Sequence, residues 1–385
     1  MKLLFFAERI NIDFFKGDSL LLKRMMQGLA GKGSEIHAIC HGHSGKVKVF
    51  PPADFWLYTK VFTFPLASFF AFKKFISLIE KNDFDAVVLK LPVCSGSGFW
   101  FELNPLIKGN FYSKIFNELK KRDIAFFVFV EGITEKDNFV SSLMGCSKET
   151  QINLLKKSDG VISLSELQNK ILFSLGLNNP MAFFPAPVDT KKYFQEKISN
   201  KLNLSKEKIN LLYLSSSCDL KDFLPFFNFI QVNNCVLYVI SPFSSALDAS
   251  IGLDKEIKKR NLETKIVFLT GFSNKTLFGL IPLFDAGVYL KKFNSDFADA
   301  SYMMKISEYL SCGLPVLLPD IKGPIKQAGN AGINFEKTKT ISKNELNNPS
   351  FEARNTAVKN LNLEKNICLI QDFIEKNIKD KKSFY

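Results

Sequence analysis

The feature that most constrains this chain is a repeated alternation. Short, continuously apolar runs are separated by segments whose apolar residues recur at helical spacing. "KLLFFA" (2–7) reads as a buried strand, and the stripe Leu21, Leu22, Met25, Met26 and Leu29 marks a helix over 19–30 that Gly31 and Gly33 end. "EIHAIC" (35–40) follows. A helix over 66–81 feeds "FDAVVLKLPV" (84–93), and one over 111–122 feeds "IAFFVFV" (124–130). "GVISLS" (160–165), a helix over 166–176 and "MAFFPAP" (181–187) complete a first set. Strands that are apolar throughout are covered on both faces, and strands divided by helices run parallel. The pattern predicts a Rossmann-like domain.

The alternation then restarts with "INLLYLS" (209–215), a helix over 221–230, "CVLYVIS" (235–241), a helix over 248–261 and "KIVFLTG" (265–271). A helix over 275–283, "AGVYLK" (286–291), "KISEYLSCGLPVLLPD" (305–320) and "AGINF" (331–335) complete it. The expected fold is α/β, with two doubly wound parallel-sheet domains over 1–195 and 196–364, divided near 191–208. A last helix over 365–379, within 365–385, is expected to cross back to the first domain. A length of 385 residues suits two domains, 46% hydrophobic content supplies two cores, and the 40 phenylalanines read mostly as core. Such sheets bind ligands at the carboxyl ends of their strands, so two facing sheets predict a cleft between them.

Composition narrows the function. The seven cysteines (40, 94, 146, 218, 235, 312 and 368) are odd in number and show no paired short spacing. That pattern argues for reduced thiols in a cytoplasmic protein and against a disulfide framework or a zinc ribbon. Leu3 to Ala7 is too short for the apolar core of a signal peptide. Lys60 and Pro65 interrupt "FWLYTKVFTFPLASFFAF" (55–72), which falls short of the roughly 20 apolar residues of a membrane span. The net charge of +13 suggests an anionic partner. Its lysines are spread along the chain in short runs, which reads as solvated surface and not as a nucleic-acid footprint.

"KISEYLSCGLPVLLPD" combines the opening of a helix, stopped by Gly313, with a short apolar strand from Pro315 to Leu318. Glu308 follows Lys305 by three residues, a placement from which a carboxylate can reach a ligand seated at a helix N-terminus. That chemistry fits a ligand bearing both phosphate and hydroxyls.

Three segments in order carry a resemblance to a known family. "SDGVISLSELQNKILFSLGLNNPMAFFPAPVDTKKYF" (158–194) resembles the interdomain passage of the family 4 glycosyltransferases (glycosyl transferases group 1). "IVFLTGFSNKTLFGLIPLFDAGVYL" followed by "KISEYLSCGLPVLLPD" is similar to that family's nucleotide-binding half, and "GDSLLLKRMMQGLAGKGSEIHAIC" to its opening loop, helix and strand. The resemblance implies the GT-B fold, a nucleoside-diphosphate sugar donor held by the second domain and an acceptor held by the first. It also implies, in most members, retention of anomeric configuration, with no metal or other cofactor.

Site residues carry over position by position. Glu308 matches the glutamate that accepts hydrogen bonds from the ribose hydroxyls, a task that suits an anionic carboxylate. Lys221 matches the lysine that meets the diphosphate and neutralises the departing nucleotide. Gly17 matches a glycine that lets backbone amides approach the phosphates, and Gly271 and Phe272 lie in "FLTGF", whose backbone would meet the base. The competing readings are a helix-surface glutamate, an ordinary lysine at a helix start and a plain turn glycine.

The chain also departs from the family. Ala300 stands where the first glutamate of the Glu-x7-Glu motif belongs, Ser216 where an arginine belongs, and Glu131 where a histidine follows the fourth strand. Lys305 resembles the lysine of a branch with a Lys-x-x-Glu-Tyr helix start and would supply the lost charge. Asp299 or Asp296 would meet the donor sugar, and Glu131 either steadies the acceptor hydroxyl or is a structural cap.

His37, Cys40, His41 and His43 fit no tetrahedral metal site, and "CSGSG" (94–98) lacks the third glycine of a dinucleotide fingerprint. Aromatics mixed with Lys60, Lys73 and Lys74 over 55–75 suit either a helix packed on the sheet or the boundary of an anionic membrane. The expectation is a cytoplasmic glycosyltransferase, with peripheral contact at the inner membrane face through that segment, acting on a glycan or lipid-linked acceptor. Two other classes stay open: a nucleotide-sugar epimerase-like isomerase, which would turn over without an acceptor, and a silent glycan-binding relative, which would bind a nucleotide and turn nothing over.

Overall fold

The computed structural model describes residues 1–11, 17–42, 45–51, 64–91, 115–133, 148–191, 202, 204–215, 218–240, 251–269, 272, 279–292 and 295–383. The chain forms two compact units, Met1–Phe184 with Glu364–Tyr385, and Pro185–Leu363.

The first unit is built on a seven-stranded sheet. Its strands are β1 (Lys2–Asn11), β2 (Glu35–His41), β3 (Lys48–Val49), β4 (Ala86–Leu91), β5 (Ala125–Val130), β6 (Gly160–Ser163) and β7 (Met181–Phe183), in the order β3-β2-β1-β4-β5-β6-β7. Every pairing is parallel, and β4 and β5 are buried at all positions. This is why these runs read as apolar, Lys90 of β4 excepted, with no alternation.

The helix Gly17–Gly31 buries Leu21, Leu22, Met25, Met26 and Leu29. The helix Phe64–Lys81 buries Ala71, Phe75, Leu78 and Ile79, and Phe75 meets Phe6 of β1 edge-on at 5.6 Å. Of the aromatic and basic segment 55–75, residues 55–63 lie outside the described residues, as does the loop 94–98.

The last helix, Leu363–Ser383, lies against the first unit's helix Gly17–Gly31 and strand β6. A Cβ on Gly28 would come within 2.4 Å of Ile367, and one on Gly160 within 2.9 Å of Phe373. Glycine at these two places allows backbone-close packing that any side chain would prop open. Lys381 fixes the far end, donating to the Ile124 carbonyl and to Asp159, each at 3.1 Å.

The second unit has six parallel strands, β8 (Ile209–Leu214), β9 (Cys235–Ile240), β10 (Ile266–Leu269), β11 (Ala286–Val288), β12 (Val316–Leu318) and β13 (Gly332–Asn334), ordered β10-β9-β8-β11-β12-β13. Its core is rich in phenylalanine. Phe223, Phe226, Phe227 and Phe229 come from the helix Leu220–Val232, and Phe226 stacks on Phe229 at 5.2 Å and meets Phe335 edge-on at 4.8 Å. Aromatic pairs at such distances add about 0.5–1.5 kcal/mol each beyond the area they bury.

Some elements differ from the sequence reading. Residues 281–283, expected to end an α-helix, form a 3-10 turn in which Pro282 has no amide hydrogen to continue an α ladder. The helices Lys322–Ala328 and Asn347–Asn360 carry weak apolar stripes and escape a periodicity search, although Ala353 and Ala357 of the latter are fully buried.

Candidate functional site

In each sheet the strand order reverses beside the first strand of its unit, between β1 and β4 in one and β8 and β11 in the other. Chains leave such neighbouring strands in opposite directions, which opens a crevice at their carboxyl ends. Two helices of the second unit that carry candidate residues, Met304–Ser311 and Leu220–Val232, flank the crevice at β8 and β11.

The helix Met304–Ser311 forms one wall. Its start is held by Gln327, whose Oε1 accepts from Met303 N at 2.6 Å while Nε2 donates to Met303 O at 2.9 Å and Ser307 Oγ at 2.8 Å. Its end is a Schellman turn: Gly313 has φ +77°, its N–H donates to Leu310 O, and the Leu314 N–H donates to Tyr309 O, each at 3.0 Å. Glycine is needed here because an L residue resists the left-handed conformation.

Tyr309 pins this helix to the sheet. Its side chain is fully buried, and its Oη accepts from Leu214 N, at the end of β8, at 2.8 Å. The ring fits because β11 has Gly287 opposite it, where a Cβ would sit 2.4 Å from the ring.

Lys305 reaches the same strand end and donates from Nζ to the Leu214 carbonyl. Burial pushes its ammonium down to about 8, with Glu308 opposing that shift and Lys291 adding to it. Glu308 is one helical turn further on and is itself buried. The Lys-x-x-Glu-Tyr run thus places three residues with separate tasks on one face. Tyr309 and Lys305 hold β8, and the charge of Glu308 acts on the ammonium of Lys305.

Across the crevice, the helix Leu220–Val232 begins just after β8. Lys221 is its second residue and is exposed, while Asp222 is buried. Burial, and then the charge of Asp219, raise the Asp222 carboxyl, with Lys291 and Lys221 opposing the rise. Lys291 stands at the carboxyl end of β11. Both lysines therefore lie within electrostatic range of the same carboxylate. Burial pushes the nearby Cys218 thiol up to about 11. That removes it as a thiolate nucleophile at neutral pH.

Asp299 is half-buried in the short helix Asp296–Asp299, which Ser295 caps by accepting from Ala298 N at 3.1 Å. Ala300 follows it and is buried against the helix Lys322–Ala328, where a Cβ on Gly323 would meet the Ala300 and Ser301 carbonyls at 2.7 and 2.5 Å. Phe272 is half-buried beyond β10, whereas Gly271 and Ser216 lie outside the described residues. Arg354 supports the region from behind, donating from Nη1 to the Ser311 and Thr190 carbonyls, each at 2.7 Å.

In the first unit, Gly17 opens the helix that follows β1. Glu131 directly follows β5 and pairs with Lys90 of β4, Oε2 to Nζ at 2.8 Å, with side-chain exposures of 13% and 7%. His37 is a packing residue: its Nε2 lies 2.8 Å from Glu35 Oε1, and its ring is wedged between Phe50 and Phe84 at 5.3 and 5.1 Å. His43 lies outside the described residues, and among those described no three His, Cys, Asp or Glu side chains converge as metal ligands. No helix among the described residues is long and apolar enough to cross a membrane.

Sequence reading singled out Glu308, Lys305, Lys221 and Glu131 but missed Lys90, Lys291, Asp222 and Gln327. Lys90 left a trace, as the one charge inside the apolar run "VVLKL". Gln327 left none, because its role arises only where two helices meet.

No protein-family profile matches the chain, and no curated protein matches it. Solved structures do match along nearly its whole length. A sucrose-phosphate synthase from Thermosynechococcus elongatus superposes with a TM-score of 0.68 at 11% identity, covering 98% of each chain. A glycosyltransferase from Rickettsia africae gives 0.67 at 14% identity, covering 98% of each chain. HepE of Anabaena, solved in complex with UDP, gives 0.64 at 14% identity, covering 98% of this chain and 100% of its own. At these identities the likeness defines the fold. The chain has the GT-B fold, with two Rossmann-like parallel-sheet units.

Proposed function

We propose that this protein is a glycosyltransferase that moves a sugar from a nucleoside-diphosphate sugar to an acceptor hydroxyl. The observation that carries the reading is the buried carboxylate of Glu308, placed at the switch-point crevice of the second unit by a helix that Tyr309 and Lys305 tie to the end of β8. A buried carboxylate costs several kcal/mol unless charge or hydrogen-bond donors offset it. The charge of Lys305 favours the ionised form, and an anionic carboxylate suits the two ribose hydroxyls of a nucleotide, which would donate to it.

In this reading Lys221 neutralises the diphosphate as it departs, with charge from Lys305, and Asp299 meets the donor sugar. Gly17 admits the phosphates to backbone amides, and the backbone at Gly271 and Phe272 meets the base. The acceptor oxygen bonds to the anomeric carbon as the bond from that carbon to the diphosphate oxygen breaks, and the electron pair leaves on the diphosphate. The acceptor proton passes to the departing phosphate oxygen on the same face, which retains configuration. Glu131 accepts a hydrogen bond from the attacking hydroxyl. Leaving-group stabilisation by fixed positive charge then supplies most of the acceleration, without a metal or other cofactor. We assign a lipid-linked or cell-surface glycan precursor as the acceptor, made in the cytoplasm at the inner membrane face, on the strength of the mixed aromatic and basic segment 55–75.

A thermal-shift screen against UDP, GDP, ADP, CMP and dTDP tests the donor site, with UDP the first choice because HepE, which shares this fold, was solved with it. A nucleotide at about 100 times its Kd stabilises the folded state by about 2.7 kcal/mol. The expected result is a rise in Tm for one diphosphate that Glu308→Ala abolishes. A folded wild-type protein that responds to none of them refutes the reading. Ala300 favours a second reading, a relative that binds the nucleotide without turnover; a shift with UDP but no UDP released from any sugar donor would establish that instead.

A further inference from the structure

Strand β4 (Ala86–Leu91) is buried at every position and is apolar except for Lys90. A lysine inside a parallel sheet is a costly choice. Replacing a buried ion pair with apolar residues of similar size is often neutral or stabilising, so folding alone does not ask for it. The partner of Lys90 is Glu131, 2.8 Å away, and both side chains are more than four-fifths buried.

The register Lys90↔Phe129 and Leu91↔Val130 brings the last residues of β4 level with the end of β5, so the pair occupies the carboxyl ends of two adjacent strands. Its backbone is fixed from both sides. The Glu131 N–H donates to Leu91 O at 3.0 Å, and Gln168, capped into its helix by Ser165, donates from Nε2 to Glu131 O at 3.4 Å. Strand β4 is also one of the two strands at the switch point of this unit. A rigid, buried pair of opposite charges at the ligand-binding end of a parallel sheet resembles a binding device more than a stabilising one.

We propose that Lys90 and Glu131 form the acceptor-hydroxyl subsite of the first unit. The carboxylate accepts the hydrogen bond of a sugar or polyol hydroxyl, and Lys90 is a positioning residue that fixes the carboxylate. This rests on the transferase reading above and adds the group that makes Glu131 usable. A carboxylate paired with an ammonium is a weak base. It orients the hydroxyl and does not deprotonate it.

The test uses the full chain and the variants Lys90→Met, Lys90→Arg, Glu131→Gln and the double variant Lys90→Met/Glu131→Gln. Melting temperature, nucleoside-diphosphate binding, and diphosphate released from UDP-, GDP- and dTDP-sugars are measured for each, with water and octyl glucoside as acceptors. Lys90→Met leaves a buried charge alone and is expected to lower Tm by roughly 6–15 °C. The double variant is expected to regain most of that loss and to bind the diphosphate like wild type. It should nevertheless release diphosphate at least about 30-fold more slowly, with a raised KM for octyl glucoside. Lys90→Arg, which keeps the charge, should retain more turnover than Lys90→Met.

A double variant that turns over at the wild-type rate makes the pair structural and overturns the proposal, as does a fully active Glu131→Gln. A wild-type protein that binds a diphosphate but releases none also overturns the subsite while leaving the donor site standing. One that binds no nucleotide removes the transferase reading and this subsite together.

Discussion

Replacing Lys305 with methionine isolates the electrostatic cost of burying its ammonium. Burial lowers the lysine from 10.5 to about 8, with Lys291 adding to the effect and Glu308 opposing it. At about 1.4 kcal/mol per pH unit, that corresponds to roughly 3 kcal/mol, trimmed somewhat because part of the side chain reaches solvent. The folded-state value lies below the unfolded one, so between pH 8 and 10.5 the unfolded chain holds the additional proton. Stability therefore rises with pH through that window, and the cost is fully present below pH 8.

Lys305→Met removes the titration. It also leaves the Leu214 carbonyl without its donor, a loss of about 1–3 kcal/mol that does not depend on pH and cancels when curves are compared. Thermal unfolding of both proteins at pH 7, 8, 9 and 10 gives the difference in Tm as a function of pH. Between pH 7 and 10 about 2 kcal/mol of the burial cost is relieved, so at about 2–4 °C per kcal/mol wild type should gain roughly 4–8 °C on the variant. The other lysines titrate alike in both proteins and drop out. Parallel curves would refute the burial argument and return Lys305 to an ordinary surface lysine.

Two further substitutions test the frame that holds the site. Gly287→Ala would place a Cβ 2.4 Å from a ring that is fully buried and hydrogen-bonded, so it should cost about 1–3 kcal/mol and lower Tm by roughly 3–10 °C; an unchanged Tm would mean that the Tyr309 wall gives way. Arg354→Ala strips the donor from the Ser311 and Thr190 carbonyls and should lower the urea midpoint by an amount equivalent to roughly 2–4 kcal/mol at constant m; a midpoint within error of wild type would show that water replaces the guanidinium.

The elements that the sequence disclosed best were those whose physics is local. Helix Gly17–Gly31 announces itself through five buried apolar residues on one stripe, β5 and β9 through uninterrupted apolar runs, and β4 and β8 through runs broken only by Lys90 and Asn210. Helix Asn347–Asn360 stayed hidden because its buried face is only two alanines, too small to stand out from its polar residues. The candidate site divides in the same way. Glu308, Lys305 and Tyr309 belong to one contiguous run and were legible as a set. Lys291 and Asp222 come from separate loops and helices, and only the parallel pairing of β8 with β11 brings them to one crevice.

What the sequence determined by itself is the class of fold. Parallel strands covered on both faces must be apolar throughout, and helices that cover them must carry one apolar stripe, so the alternation follows from burial alone. What only tertiary structure decided is which polar groups are buried together. Lys90 and Glu131 are 41 positions apart, yet the β4–β5 register sets them 2.8 Å from each other. Lys305 is 91 positions from Leu214 but spends its ammonium on that residue's carbonyl. A charge reads as surface in one dimension because water is its usual partner. Its meaning changes only when the fold removes the water and leaves another residue to take its place.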